Sequence, residues 1–285
     1  MAADISQRIK KISSTFTKSQ RKIATAIMRE YDKVAYMTAA DLSRHVGVSE
    51  STIIRFASEL GYEGYTEFKN AVMELVKIKL TPHQRIEITK LRMGSGDILS
   101  KVMESDISKI RATLEKINKI VFYDSVDAIL AAKNIYIIGA RSTEPLAKIL
   151  EYNLSLIFDN VRLVRPNSTA EILEQMFSVG EGDVVITFSF PRYSSKLVPA
   201  LKYATQRGAT VVGVTDSTVA PIAEYSTYLL TAESDMASFM DSFVAPLSII
   251  NAIIVEITNR REREIIRRFD QLEKVWDEYD VYTKR

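Results

Sequence analysis

The sequence predicts a protein of two fold classes, an all-helical N-terminal domain over residues 1–80 followed by an α/β domain with a parallel sheet. In the first 80 residues, apolar side chains recur at the three- and four-residue spacing of amphipathic helices. From Asn134 onward, short apolar runs alternate with helical stretches, which is typical of right-handed βαβ units. A chain of 285 residues is also long enough for about two domains.

The composition is that of an ordinary globular protein, with 46% apolar and 26% charged residues. The chain has no cysteine, which excludes disulfides, zinc–cysteine sites and thiol catalysis. It has no run of about 18 apolar residues and no signal-peptide core at its N-terminus, so we expect a cytoplasmic protein with no membrane partner. Residues 1–80 hold 13 Lys and Arg against 9 Asp and Glu, whereas the remainder is mildly acidic. A basic small half suits a nucleic-acid-binding module.

Residues 38–60 predict two short helices joined by a tight turn. Thr38 and Asp41 are spaced as the acidic form of a capping box, which would begin the first helix. Gly47 can adopt the left-handed backbone that ends a helix, and Ser49 suits the N-cap of the next one. This is the pattern of a helix-turn-helix.

The second helix of this pair carries the chemistry of DNA recognition on its exposed arc. Ser51 and Thr52 are short hydrogen-bonding side chains, and Arg55 can read guanine through two hydrogen bonds. Because the N-terminal residues of such a helix enter the major groove, we predict DNA contacts from Ser49, Ser51, Thr52 and Arg55. The alternative is an ordinary helical hairpin whose polar face is only solvated.

Residues 81–124 are predicted to form a linker and a connector helix. Thr81-Pro82 stops the preceding helix, and the stretch up to Gly96 is polar and weakly patterned. Asp97 would cap a long helix whose apolar residues recur at three- and four-residue spacing. These residues are Leu99, Met103, Ile107, Ile110, Leu114 and Ile117. The helix could form a dimer contact or pack on its own domain.

The α/β part contains five apolar runs that predict strands. They are residues 135–138, 161–164, 184–187, 210–214 and 227–230. Ligands of parallel sheets bind beyond the carboxyl ends of the strands. Three loops lie at those ends, residues 139–143, 189–195 and 215–218.

The first two of these loops have the residues expected of an anion site. Each places hydroxyls at a predicted helix N-terminus, where free N–H groups and the helix dipole favour negative charge. Each also has an arginine, Arg141 or Arg192. A phosphate site is therefore favoured, with simple N-capping by the Ser and Thr residues as the alternative. Neither loop is a Walker A sequence or a G-x-G-x-x-G, so nucleotide binding has no support and we predict neither a cofactor nor a metal.

The two halves together resemble the RpiR family of bacterial transcriptional regulators. The N-terminal resemblance rests on Ala40-Asp41-Leu42, Val48-Ser49-Glu50-Ser51-Thr52-Ile53-Ile54-Arg55-Phe56, Leu60-Gly61-Tyr62-Glu63-Gly64-Tyr65 and Glu67-Phe68-Lys69. Residues 125–270, which precede a tail at 271–285, are similar to the sugar isomerase (SIS) domain. The resemblance implies a flavodoxin-like, five-stranded parallel sheet with helices on both faces that binds phosphosugars.

The resemblance also implies particular effector-binding residues. Ser142 and Thr143 match the first Ser-rich loop of SIS domains, and Ser189 and Ser194 match hydroxyls of the second loop. Arg141 stands where many such domains have glycine, and Pro191-Arg192 replaces a Ser-Gly pair in the second loop. The bulkier loop could favour a different ligand from the phosphosugar of the family.

The regulator and enzyme interpretations differ in what they require of the sequence. Aldose–ketose isomerisation usually needs a ring-opening base, often histidine. The only histidines are His45 and His83, both outside the sheet domain, although Glu144, Glu171 or Asp216 could serve instead. We therefore expect no catalytic role and predict an oligomeric regulator, a homodimer or homotetramer, that binds operator DNA and a phosphosugar or similar anion. A phosphosugar-binding scaffold that does not bind DNA is a third interpretation.

Overall fold

The computed structural model describes residues 5–236 and 238–282. The chain divides into two compact units, Met1–Arg92 and Met93–Arg285. Among the described residues, none of the helices combines the length and the apolar character that a bilayer crossing requires.

The N-terminal unit is helical. Its α-helices are α1 (Ile5–Ile12), α2 (Lys18–Arg29), α3 (Tyr31–Val34), α4 (Ala39–Val46), α5 (Glu50–Glu59), α6 (Tyr65–Lys79) and α7 (Pro82–Met93). Their core is built from fully buried apolar side chains, including Ile23, Ile27, Leu42, Ile53 and Phe56.

The helix-turn-helix consists of α4 and α5, and its first cap and its turn are formed by the predicted residues. The Oγ1 of Thr38 accepts a hydrogen bond from the backbone N–H of Asp41 at 3.1 Å, and the Asp41 carboxylate accepts from the Thr38 N–H at 3.3 Å. The hydrogen bonds from Thr38 hold the pKa of the Asp41 carboxyl below its usual value, so the cap is charged at neutral pH. Gly47 has φ +71°, the left-handed backbone that lets the chain leave α4 and enter α5.

The segment predicted as a linker contains a helix that its weak apolar pattern did not predict. Helix α7 begins at Pro82, where a missing N–H costs nothing. The Oε1 of Gln84 accepts from the Thr81 N–H at 3.0 Å, and the Thr81 Oγ1 accepts from the Gln84 N–H at 3.3 Å. Thr81-Pro82 therefore ends one helix and begins the next through a capping box.

The C-terminal unit contains a five-stranded parallel sheet with helices on both faces, as predicted. Its strands are β1 (Ile135–Gly139), β2 (Val161–Leu163), β3 (Val184–Phe188), β4 (Thr210–Thr215) and β5 (Tyr228–Thr231), in the spatial order β2-β1-β3-β4-β5. Its helices are α8 (Ile98–Lys116), α9 (Lys119–Ala131), α10 (Glu144–Ile157), α11 (Thr169–Gln175), α12 (Leu197–Gln206), α13 (Val244–Arg260) and α14 (Glu262–Glu278).

The two faces of the sheet are covered by different helices. Ile135 and Ile137 pack with α9, α10 and α13, whereas Tyr136 and Ile138 pack with α11 and α12. This alternation along one strand follows from the two-residue side-chain period of β structure. Because both faces are buried at the three central strands, β1, β3 and β4 are continuous apolar runs, which explains why they were recognisable in the sequence.

Two of the expected domain boundaries fall inside helices. The boundary at residue 124/125 lies within α9, and the boundary at 270/271 lies within α14. Helix α14 continues through the second position because it packs on the sheet unit, with Ile265 buried and Arg268 donating to the Leu156 carbonyl at 2.7 Å.

Candidate functional site

The first candidate surface lies at the N-terminus of α5. The Oγ of Ser49 accepts a hydrogen bond from the backbone N–H of Thr52 at 3.3 Å and therefore caps the helix. It also lies 2.9 Å from the Oγ of Ser51 and 2.7 Å from the Oγ1 of Thr52. Ser49 and Ser51 are exposed and Thr52 is half-buried. The structure thus brings three of the predicted DNA-contacting residues into one hydroxyl cluster.

Arg55 lies one turn further along the same helix. Its side chain is exposed and makes no hydrogen bond or ion pair with the described residues. Arg44, on the preceding helix, is instead paired with Asp41. A guanidinium without a partner in its own protein can form both hydrogen bonds of a guanine contact without first breaking an ion pair.

A second feature of the N-terminal unit is an open groove of about 820 Å³. It is lined by Lys18, Arg21 and Lys22 of α2 and by His45 of α4. The Nε2 of His45 lies 3.1 Å from the Oε2 of Glu30, which lines the same groove. The three basic side chains are candidates for phosphate contacts, which position a protein on DNA without reading its sequence.

The predicted anion site lies at the switch point of the sheet. Strand β1 lies between β2 and β3, and Gly139 at its end pairs with Phe188 at the end of β3. The loops that follow these two strands therefore leave from neighbouring positions and diverge to opposite sides of the sheet. A crevice at this point is where flavodoxin-like sheets bind their ligands.

The loop after β1 turns sharply through residues Arg141–Thr143 before α10 begins. A Cβ on Gly139 would lie 2.4 Å from the Thr143 carbonyl oxygen, so only glycine fits at the end of the strand. Arg141 has φ +59°, a left-handed conformation that favours glycine and that costs other residues about 1–2 kcal/mol. Arg141 and Ser142 are both exposed, with Arg141 making no ion pair within the described residues.

Thr143, one of the predicted effector-binding residues, is buried and its hydroxyl is engaged within the protein. It is 3% exposed, and its Oγ1 accepts a hydrogen bond from the Ala140 N–H at 2.9 Å. The same oxygen lies 2.9 Å from the Phe188 carbonyl and 3.1 Å from the Ala140 carbonyl, to either of which it can donate. The geometry makes this hydroxyl a clamp between the two loops and leaves it poorly placed to contact a ligand directly.

Ser189 is the first residue after β3. Its backbone N–H donates to the Val214 carbonyl at 3.0 Å, which fixes its position beside β4. Its side chain is 2% exposed, and its Oγ has no hydrogen-bond partner among the described residues. A buried hydroxyl of this kind costs free energy unless another group pairs with it.

The remainder of the second loop is held from both sides. The Tyr193 hydroxyl donates to Asp216 Oδ1 at 2.9 Å, which ties the loop to the one after β4. Lys196 donates to the Pro166 carbonyl at 3.2 Å, which ties it to the segment after β2. Ser194 is half-buried and its Oγ accepts from the Lys196 N–H at 3.4 Å. Sequence reasoning missed Tyr193 and Lys196, because both partners are distant in the chain.

Arg192 is exposed and makes no ion pair within the described part of the chain. The loops after β1 and β3 thus each present one arginine without a carboxylate partner, which makes them suitable for an anion. Of the carboxylates considered as catalytic bases, Glu144 is paired with Lys148 at 2.7 Å and Asp216 accepts from Tyr193. The described residues contain no group of three or more metal-binding side chains.

A cavity of about 230 Å³ adjoins the ends of β4 and β5. Asp216, Ser217 and Thr218 line it from the loop after β4, and Thr113 and Lys116 line it from α8. The third loop was expected at this edge of the sheet, but the contribution of α8 was not.

A helix-turn-helix unit followed by a flavodoxin-like sheet is the architecture of a ligand-responsive DNA-binding regulator. Two family models match the chain: the helix-turn-helix domain of the rpiR family over residues 3–77, and the SIS domain over residues 128–256. The chain belongs to the RpiR family of transcriptional regulators, as its motifs predicted.

Two relatives and one solved structure match most of the chain. An uncharacterised helix-turn-helix-type regulator of Haemophilus influenzae is 26% identical over 232 residues, which is 80% of each chain. One from Caldanaerobacter subterraneus subsp. tengcongensis is 24% identical over 284 residues, covering 95% of this chain and 96% of that one. The solved structure of the Vibrio vulnificus NanR protein complexed with ManNAc-6P aligns with 98% of this chain and 100% of its own, at 20% identity and a TM-score of 0.62. That likeness confirms the fold.

Proposed function

We propose that this protein regulates transcription by binding operator DNA through α5, and that a phosphorylated sugar bound between the β1 and β3 loops changes its operator affinity. The observation that carries the effector part is the pair of loops at the switch point, each with an exposed arginine that lacks a carboxylate partner. The ManNAc-6P complex of NanR supports a phosphosugar as the ligand class.

The proposed phosphate contacts come from three serines and two arginines. Ser142 is exposed on the first loop, and Ser194 lies on the second loop. Ser189 contributes a buried hydroxyl whose hydrogen bond is not satisfied within the described residues. Arg141 and Arg192 would supply charge to the same anion. Thr143, in contrast, would hold the two loops in place and act on the ligand only indirectly.

An isomerase is less well supported than a regulator. Both histidines precede the sheet unit in the chain, and two of the three candidate carboxylates have partners that would compete with a catalytic role. The named relatives are described as transcriptional regulators. Assaying the purified protein for interconversion of aldose and ketose phosphates tests this directly, and turnover that depends on Asp216 or Glu171 would revive the enzyme interpretation.

Calorimetry with ManNAc-6P, glucose 6-phosphate, fructose 6-phosphate and inorganic phosphate tests the effector site. A hydrogen bond to a charged group contributes about 1.5–3 kcal/mol, so the Ser142→Ala/Ser194→Ala double variant should lose about 100-fold or more in affinity. The matched control is Ser178→Ala, an exposed serine at the amino edge of the sheet. Wild-type affinity in the double variant would place the ligand elsewhere.

The DNA part is tested with sequences that the wild-type protein selects from a randomised duplex pool. Arg55→Lys keeps the charge of the side chain but removes the two-pronged donor, so specific affinity should fall by about 1–3 kcal/mol while non-specific affinity changes little. Arg44→Lys, at a position already paired with Asp41, is the control. Unchanged discrimination between selected and random DNA in Arg55→Lys would remove Arg55 from base recognition.

We also propose that the protein binds DNA as a dimer or a higher oligomer. One helix-turn-helix reads too few base pairs for genomic specificity, so two should act together on half-sites about 10 base pairs apart or a multiple of that distance. Selected sequences without an inverted repeat would contradict this arrangement.

A further inference from the structure

Helix α8 has apolar side chains that face away from its own unit, whereas its polar side faces that unit. Five residues at three- and four-residue spacing form this stripe: Leu99, Met103, Ile107, Ile110 and Leu114. Their exposed fractions range from 36% at Ile110 to 71% at Leu99. The stripe continues for about 22 Å along the helix. Contiguous apolar surface of this kind marks an interaction site.

The polar side of α8 fixes this orientation. Lys109 and Thr113 are buried, and the Thr113 Oγ1 accepts a hydrogen bond from the Glu233 N–H at 2.9 Å. The Ser242 hydroxyl donates to Asp106 Oδ1 at 2.7 Å. Turning the stripe inward would break both hydrogen bonds and expel the buried polar groups. The helix thus packs on its own unit through its polar side, while these five apolar residues stay outside that contact.

Two opposite charges flank the stripe on its outer side. At about 100° per residue, Glu104 and Arg111 lie on the same flank, whereas Asp106 and Thr113 lie on the flank that meets the unit itself. Glu104 and Arg111 are both exposed and neither has an ion-pair partner among the described residues. Seven residues separate them, which is about 10 Å along the axis and too far for an ion pair within the helix.

We propose that α8 pairs with α8 of a second copy of this chain, in antiparallel orientation, about a two-fold axis that passes between residues 108 and 109. In this register Met103 lies opposite Leu114 of the second copy, and Ile107 lies opposite Ile110 of the second copy. A two-fold interface uses the same patch on both subunits, so every contact forms twice.

The flanking charges select this arrangement over a parallel one. In the antiparallel register Glu104 comes beside Arg111 of the second copy, and the symmetry repeats the pair. In a parallel pair the two-fold axis would run along the helices and place the two copies of this flank on opposite sides of the interface, so Glu104 could not meet Arg111 of the second copy. The patch is therefore complementary to itself in one orientation only.

This inference rests on the proposed function only for the expectation of a dimer. It adds the interface and the register of that dimer. Its first test is charge reversal, with sedimentation velocity at 1–50 µM as the measurement. Glu104→Arg and Arg111→Glu should each weaken the dimer by about tenfold or more, and the double variant Glu104→Arg/Arg111→Glu should restore it to within about threefold. Glu174→Arg, an exposed glutamate on α11, controls for the change in net charge.

Cysteine cross-linking tests the orientation, because the natural chain has no cysteine. In the antiparallel register the two copies of residue 103 are about 16 Å apart, well beyond the 4.4–6.8 Å between the Cα atoms of a disulfide. Met103→Cys alone should therefore stay uncross-linked on oxidation, whereas Met103→Cys/Leu114→Cys should form covalent dimers.

Each result supports or overturns the interface. Restoration by the double reversal together with selective cross-linking supports it. If the wild type is a dimer and both single reversals dimerise as strongly as it does, the α8 interface is overturned. The proposed dimeric regulator then still stands. A wild type that is monomeric at 50 µM overturns both. Cross-linking of Met103→Cys alone overturns the antiparallel orientation.

Discussion

Replacing Thr143 with valine separates the structural role of this residue from the ligand-binding role that the family resemblance implies. Valine has nearly the same shape, so the change removes the hydroxyl and leaves little cavity. The Ala140 N–H, which donates to Thr143 Oγ1 at 2.9 Å, would then be buried without its partner. The Phe188 carbonyl would also lose the donor that links the two loops.

The expected loss of folding stability follows from these two groups. A buried N–H left unpaired costs about 1–3 kcal/mol, and the carbonyl adds less because it has a second lone pair. We therefore expect Thr143→Val to lower the free energy of unfolding by about 2–4 kcal/mol. The exposed neighbour Ser142 provides the control, since Ser142→Ala should change stability by less than about 0.5 kcal/mol.

Urea denaturation monitored by circular dichroism and by Trp276 fluorescence measures both variants. Trp276 is the only tryptophan and lies on α14 of the sheet-containing unit, so its signal reports on that unit. A Thr143→Val protein as stable as wild type would refute the clamp, and so would a Ser142→Ala protein destabilised to the same extent.

Three further predictions concern single residues. Thr81→Ala should destabilise the start of α7 by about 1 kcal/mol, seen as faster amide hydrogen exchange at residues 83–86, and unchanged exchange would contradict the capping box. Arg141→Gly should stabilise the folded protein by about 1 kcal/mol in urea denaturation because glycine adopts φ +59° without strain, and a lower midpoint would refute this. Burial, with a smaller effect of the nearby Asp41 charge, raises the pKa of Tyr65 from 10.0 to about 12. The folded state thus favours the protonated phenol, so its contribution to stability is complete below about pH 10 and is lost as the pH rises towards 12. Because the chain has 13 tyrosines, the ultraviolet titration of Tyr65→Phe is subtracted from that of the wild type, and a midpoint near 10 in the difference would contradict the shift.

The sequence was most informative where one local signal determines one local structure. The caps at Thr38 and Ser49 and the left-handed Gly47 are each set by neighbours within three or four residues, so the helix-turn-helix could be predicted. The central strands β1, β3 and β4 could be predicted because burial on both faces makes them almost uniformly apolar. The capping box at Thr81 was equally local, but Pro82 was interpreted only as the end of a helix and not as the start of one.

The roles of the loop hydroxyls could not be predicted in the same way. Thr143 and Ser189 are similar residues at similar positions, yet one is saturated by hydrogen bonds and the other has none within the described residues. The difference depends on the Phe188 carbonyl, which is 45 positions from Thr143 and reaches it only through the pairing of β1 with β3. The outward direction of α8 was hidden for the same reason, because Ser242 and Glu233 hold it from more than 100 residues away.

The position of α8 has a consequence for how the affinity for a small molecule depends on the concentration of the protein. Its polar side contributes Thr113 and Lys116 to the cavity at the ends of β4 and β5, while its apolar side is the stripe proposed to meet a second copy. One rigid element then borders that cavity and the proposed subunit boundary at once. Shifts of about 1–2 Å in interface helices are a common means of coupling such surfaces. By linkage, any coupling is reciprocal: a metabolite that tightens the pairing must bind the paired form more tightly than the single chain. The apparent affinity for that metabolite would then fall on dilution, so the abundance of the protein in the cell would set its sensitivity.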